Sequence, residues 1–145
     1  MMTTRIDIAK IQPAALNAML SIESYLSGVT LSAELKELIK IRSSMINKCA
    51  YCIQMHVPEA EKAGVEAQKL FALAAWKESP LFNATERAVL ALTDDMTLIA
   101  LDGVSDTVYQ EALEVLGEEQ LAQAMMQVIM INAWNRFALA TQMTH

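Results

Sequence analysis

Apolar residues recur along this chain at the three-to-four-residue spacing of a helix, and polar or glycine breaks divide them into segments. Ala15, Met19, Ile22 and Leu26 share a face of a stretch that Pro13 opens and Gly28 ends, which predicts a first helix from Pro13 to about Tyr25. Ser32 is the expected N-cap of a second, Ala33 to Ile46, with Leu35, Leu38, Ile39 and Met45 as its stripe and Glu34 and Glu37 in its first turns. Asn47-Lys48 breaks the pattern. A third helix starts near Cys49 and ends near Ala63 ahead of Gly64, with a kink or break expected at Pro58. Val65 to Trp76 continues as helix until Glu78-Ser79-Pro80 closes it.

The second half reads the same way. Asn83-Ala84-Thr85-Glu86 resembles a capping box and opens a helix to about Leu98. Asp102 to Ser105 is a turn with a cap, Asp106 to Leu116 a short helix stopped by Gly117, and Glu118 to about Met143 the longest helix. This last segment is apolar nearly all round, from Leu121 through Met125, Val128, Met130, Ile131 and Trp134 to Leu139. Such a helix needs cover on every side, which points to a second chain. No repeat, low-complexity tract or dividing linker is evident, so residues 1–145 read as a single all-α domain, a helical bundle that assembles into oligomers.

Composition narrows the function. A chain of 145 residues with 54% hydrophobic residues can bury one sizeable core, and its 4 Gly and 3 Pro are too few for an all-β fold. A net charge of −6 without a basic patch excludes phosphate-backbone binding, so no nucleic-acid partner is expected. The N-terminus lacks the apolar core of a signal peptide. The greasy stretch Leu121 to Leu139 is interrupted by Gln123, Gln127, Asn132, Asn135 and Arg136, so it is not a membrane span. A cytoplasmic location follows as the expectation, and in that reducing compartment paired cysteines are more often catalytic or metal-binding than structural.

The two cysteines of the chain stand as Cys49-Ala-Tyr-Cys52, and one of its two histidines, His56, follows Cys52 by four positions. A thiolate is the nucleophile of thiol chemistry, and a helix N-terminus stabilises that anion. Cys52 and His56 are i and i+4 on one helical face, so the imidazole can take the thiol proton. If the second and third helices form an antiparallel hairpin, Glu37, ten positions before the turn, lies at the depth of His56, about eight after it. The carboxylate then orients the imidazole or relays its proton. Zinc is the competing reading, but structural sites take four ligands, and only Cys49, Cys52, His56 and a carboxylate are on offer. A lone helical His is ordinarily a core residue and a lone Glu a solvated charge; their placement relative to Cys52 argues otherwise. The 10 Met are read as core filler rather than an oxidation sensor.

Glu37, eleven residues, Cys49-x-x-Cys52, three residues and His56 match the signature of the AhpD-like alkylhydroperoxidases of the carboxymuconolactone decarboxylase superfamily. Lys40-Ile41-Arg42-Ser43-Ser44 and Ile131-Asn132-Ala133-Trp134-Asn135-Arg136 are similar too, and the resemblance runs from about Ile6 to Ala140. It implies an all-helical fold in dimers or hexamers and a cofactor-free peroxidase. In it Cys52 attacks the hydroperoxide, Cys49 resolves, His56 and Glu37 relay the proton, and the pair closes to a disulfide. The decarboxylase branch lacks the dithiol, so lactone decarboxylation is not expected. One departure is Tyr51, which stands where well-studied peroxidatic members carry a His; a proton shuttle is lost there, while the phenol can still donate a hydrogen bond. The expected partners are a hydroperoxide, an external dithiol donor (the chain has no third Cys) and other copies of the chain. The alternatives are a disulfide reductase and a redox-sensing interaction protein without turnover.

Overall fold

The computed structural model describes residues 5–144; Met1–Thr4, on which the reading of the N-terminus partly rests, and His145 lie outside them. The described residues fold into helices α1 (Ile8–Ile11), α2 (Pro13–Ser27), α3 (Ala33–Ile46), α4 (Ala50–Lys62), α5 (Ala67–Ala72), α6 (Ala84–Thr97), α7 (Ile99–Asp102) and α8 (Asp106–Thr141), with a 3-10 turn at Leu73–Glu78. No strand occurs among them. The fold is all-α.

The ends of the helices follow from local hydrogen bonding. Ser32 Oγ accepts from Leu35 N and Ser105 Oγ from Val108 N, while Asn83 and Glu86 complete a reciprocal capping box at the start of α6. At the end of α4, Val65 N donates to Ala60 O and Gly64 N to Glu61 O, a pair of bonds that puts Gly64 at φ +103, where glycine avoids a Cβ clash. Gly117, at φ 78 and ψ 169, interrupts α8 where the short and the long helix were expected to meet.

Other expectations change. Helix α4 runs through Pro58 without a break. The carbonyl that loses its donor belongs to Gln54, and both residues are exposed, so water can take the place of the missing bond. Val65 to Trp76 is not one helix: α5 gives way to the 3-10 turn, in which Ala75 leaves helical geometry. The short helices α1 and α7 lie in stretches where no helix was expected, α1 being capped by Asp7.

Helix α3 is the axis of the fold. Its Ile39 joins Val89 and Leu92 of α6 and Leu121, Ala124, Val128 and Ile131 of α8 in one apolar cluster. Leu38 and Ile41 face the other way, into a cluster with Ala60 of α4, Leu70, Leu73, Trp76 and Leu90. Arg42 and Asp94 tie α3 to α6 through bonds of 2.7 and 3.1 Å, and Trp76 Nε1 donates to the same carboxylate. Gln123 Oε1 accepts from Leu31 N and Asn135 Nδ2 donates to Ser44 Oγ, so α3 and α8 run side by side in the same direction. On α8 the chain itself buries Leu121, Val128, Met130 and Ile131, while Tyr109, Val115, Ile129 and Leu139 stay exposed.

Candidate active site

The dithiol is held by the turn between α3 and α4. Lys48 adopts a left-handed φ of 59, and Cys49 N donates to Ser44 O at 2.9 Å. The Asn47 amide donates to both Asn132 and Asn135 of α8, at 2.9 Å each, and Asn135 in turn donates to Ser44. Asn135 is fully buried, so this turn is anchored to the bundle by satisfied polar bonds in a dry setting. Cys49 is the N-cap of α4 and its Sγ accepts from Cys52 N. Cys49 and Cys52, with Cα atoms 5.3 Å apart, are joined as a disulfide, and Ala138 of α8 packs against the pair.

Glu37 and His56 meet as the hairpin argument required: Oε2 of Glu37 lies 3.3 Å from Nδ1 of His56, both side chains largely shielded. The approach is close but poorly aligned, and neither atom has a well-directed bond to another described residue; such contacts tighten when a reacting group is bound. The other oxygen of Glu37 accepts from Lys40 Nζ at 2.9 Å. Burial pushes the Glu37 carboxyl up, but the close contact with His56 and the bond and charge of Lys40 outweigh it, leaving the group below its ordinary value. It is therefore a carboxylate at neutral pH. With Nδ1 directed at that carboxylate, the far nitrogen of His56 is the one left for proton transfer.

Beside this group lies a cavity of about 660 Å³. Cys52, His56, Lys40 and Tyr51 form part of its wall; Cys49 and Glu37 do not. The rest is mainly apolar, with Ile131, Trp134 and Phe137 from α8, Leu16 and Leu20 from α2, and Met55 from α4. The two cysteines are thus distinguished by access: the helix N-terminus favours an anion at Cys49, whereas a molecule in the cavity meets Cys52. All five residues singled out from the sequence come together here. Among the described residues no group of three His, Cys, Asp or Glu side chains is placed to hold a metal ion.

Two participants escaped sequence reasoning. Lys40, one turn after Glu37, was noticed only as part of a resemblance, although an acid and a base at i and i+3 are a usable signal. Gln127 was noticed only as an interruption of an apolar stretch; it is 1% exposed and lines the cavity.

Comparison with known proteins agrees with this architecture. The carboxymuconolactone decarboxylase family profile matches residues 13–95. The chain is 35% identical over 139 residues to the uncharacterised protein YdfG of Bacillus subtilis strain 168, covering 96% of this chain and 95% of that one. Among solved structures, the ATU0492 protein of Agrobacterium tumefaciens, of unknown function and put forward as an AhpD antioxidant-defence protein, matches with a TM-score of 0.94 and 34% identity over 99% of this chain and 98% of that one. The debrominase Bmp8 matches with a TM-score of 0.82 at 21% identity, over 93% of this chain and 73% of that one, a likeness of fold alone.

Proposed function

The chain belongs to the carboxymuconolactone decarboxylase family, and within it we propose that this protein is an AhpD-like thiol peroxidase that reduces organic hydroperoxides. One observation supports the reading above the others: a buried, disulfide-forming pair of which Cys52 alone opens onto an apolar cavity, alongside the imidazole that Glu37 orients. In the reduced protein the Cys52 thiolate attacks the distal peroxide oxygen. An S–O bond forms, the O–O bond breaks, and the alkoxide leaves as the alcohol with a proton from His56. The Cys49 thiol then attacks the sulfenic sulfur of Cys52; the disulfide forms and water departs. The hydroperoxide is reduced by two electrons and the dithiol oxidised by two. An external dithiol, itself oxidised to a disulfide, restores the pair.

Glu37 acts through His56, holding its ring in place, and His56 and Lys40 together hold the Glu37 carboxyl below its ordinary value. Tyr51, on the cavity wall between the cysteines, is a supporting group. The proposal extends to assembly as a homo-oligomer and to a cytoplasmic setting. Ile129 and Leu139 on α8 and Leu20 and Tyr25 on α2 are exposed apolar groups that a second copy can cover; scattering that gives only a 16.0 kDa particle at micromolar concentration refutes the oligomer. Among the described residues no helix is long and apolar enough to cross a membrane.

The test follows hydroperoxide loss with a panel of dithiol donors. Cys52→Ser abolishes turnover, Cys49→Ser reacts once and traps a sulfenic acid on Cys52, and His56→Ala slows the first step by about 10²- to 10⁴-fold. An exchange of phenotypes between the two Ser variants means that Cys49 attacks. Disulfide exchange with a partner protein and no hydroperoxide loss with any donor leaves the disulfide-reductase reading instead.

A further inference from the structure

One buried polar side chain of the cavity wall has neither a bonding partner among the described residues nor a part in the peroxidase chemistry. Gln127 is 1% exposed, and neither its Oε1 nor its Nε2 has a partner among the described residues. A buried amide without bonds is costly, and native structures rarely keep one unless something else satisfies it. Other polar groups of the wall are engaged: Lys40 with Glu37, Glu23 with Trp134 Nε1, Arg5 with Ala140 O and Thr141 with Phe137 O. Gln127 therefore holds an unbonded donor and acceptor, side by side, in the wall of an otherwise largely apolar space.

Its position gives the occupant a shape. Gln127, Ile131, Trp134 and Ala138 lie at i, i+4, i+7 and i+11 on α8, one stripe along the helix. Ala138 packs against the dithiol. Gln127 thus sits three turns away from that point, about 16 Å along the axis. Between them the wall is Ile131 and Trp134, joined edge to face by Phe137 with ring centroids 5.6 Å apart. The amide is neutral, and of the two cations lining the cavity Lys40 is paired with Glu37, while Arg5 is held at Ala140 O, far along α8 from Gln127. A charged head group would thus be desolvated at Gln127 without compensation.

We propose that Gln127 sets the specificity of the cavity by binding the neutral, donor-and-acceptor end of an elongated apolar substrate, a carboxamide or hydroxyl, whose other end reaches Cys52. The part concerning Cys52 rests on the peroxidase reading; the binding at Gln127 does not.

The probes are a straight-chain hydroperoxide of about ten carbons, long enough for the roughly 16 Å span with the side chains at each end, and the same chain ending in a primary carboxamide. The wild type turns over the amide-ended chain with a kcat/KM about three- to tenfold higher, the worth of a net hydrogen bond. Gln127→Leu, of similar volume, abolishes this preference, so that the amide-ended and the plain chain turn over with equal kcat/KM. It also raises the thermal midpoint by about a few degrees, because an unsatisfied buried amide is removed; a merely structural glutamine would lower it on replacement. Gln127→Met replaces it where Leu does not fold. Binding of the unreactive saturated amide, followed by Trp134 fluorescence, separates the two claims. Gln127-dependent binding without hydroperoxide turnover upholds the amide site and sinks the peroxidase reading. Turnover with equal preference in wild type and variant, or a variant that loses both substrates alike, overturns the role of Gln127.

Discussion

The two walls of the cavity are built differently. On one side α3 buries Glu37, Leu38, Ile39, Ile41, Ser43 and Ser44 within 14 residues, and its end is tied to α8 through Asn47, Ser44 and Asn135. On the other, α2 spans 15 residues of which only Leu26 is buried; Trp134 Nε1 to Glu23, Lys36 Nζ to Leu26 O and, through the preceding segment, Arg5 to Ala140 O fasten this side. Cys52 and His56 stand on α4, which packs on α3 through Ala60, and the second wall, with Leu16 and Leu20, closes the space before them. Buried contacts set the free energy of local opening, so the α2 wall opens at lower cost than the dithiol wall. Precise placement of the thiol, imidazole and carboxylate needs the stiff side; entry of an apolar molecule needs the soft one.

This contrast can be broken by paired truncations. Leu38→Ala removes a fully buried side chain and costs about 2–5 kcal/mol, whereas Leu20→Ala, at a residue 47% exposed, costs under about 1 kcal/mol but alters the rate of substrate entry. Urea unfolding of both variants decides it, and equal losses would erase the distinction between the walls.

A smaller effect sharpens the account of the stiff wall. Asn135→Ala deletes the bonds to Asn47 and Ser44 and costs about 1–3 kcal/mol. Because it loosens the turn that presents Cys49, the rate at which a small dithiol reduces the disulfide should change as well. A stability loss with an unaltered reduction rate would show that the turn is held by other means.

The smallest effect is a dependence on pH. The Glu37 carboxyl lies below its ordinary value in the folded protein, so the unfolded chain binds its proton first as pH falls. Its contribution to stability is complete above the ordinary carboxylate range and is lost as pH drops through that range toward the lower folded value. Wild type should therefore lose more stability on acidification than Glu37→Gln over the same window. Parallel stability curves for the two would mean that the Lys40 and His56 contacts do not favour the carboxylate.

Much of this arrangement was legible in residue order. The limits of α3 and α6 follow from Ser32, Asn47 and Asn83, because capping bonds lie within one turn of the residue that makes them. The Glu37–His56 encounter was legible too, since a two-residue break between amphipathic helices leaves an antiparallel hairpin and equal distances from the turn give equal depth. Pro58 and the stretch after Val65 were read less well. A proline breaks a helix only if the lost bond matters, and that depends on whether Gln54 faces water. How much of the apolar surface of α8 is left for a second chain depends on what α3 and α6 cover, which packing decides.

By itself, then, the sequence determined the helical class, the helix caps and the glycine stops, and the spacing of Glu37, Cys49, Cys52 and His56. Each depends on interactions within a few residues or across one short turn. Tertiary structure alone decided that Cys52 rather than Cys49 faces the cavity, that Lys40 pairs with a buried Glu37, that α2 forms a thin wall, and that Gln127 is buried without a bond in the wall of an apolar space. Those outcomes rest on contacts between residues as far apart as Arg5 and Ala140. They arise from how whole helices pack, and burial is a property of that packing rather than of any local run of residues.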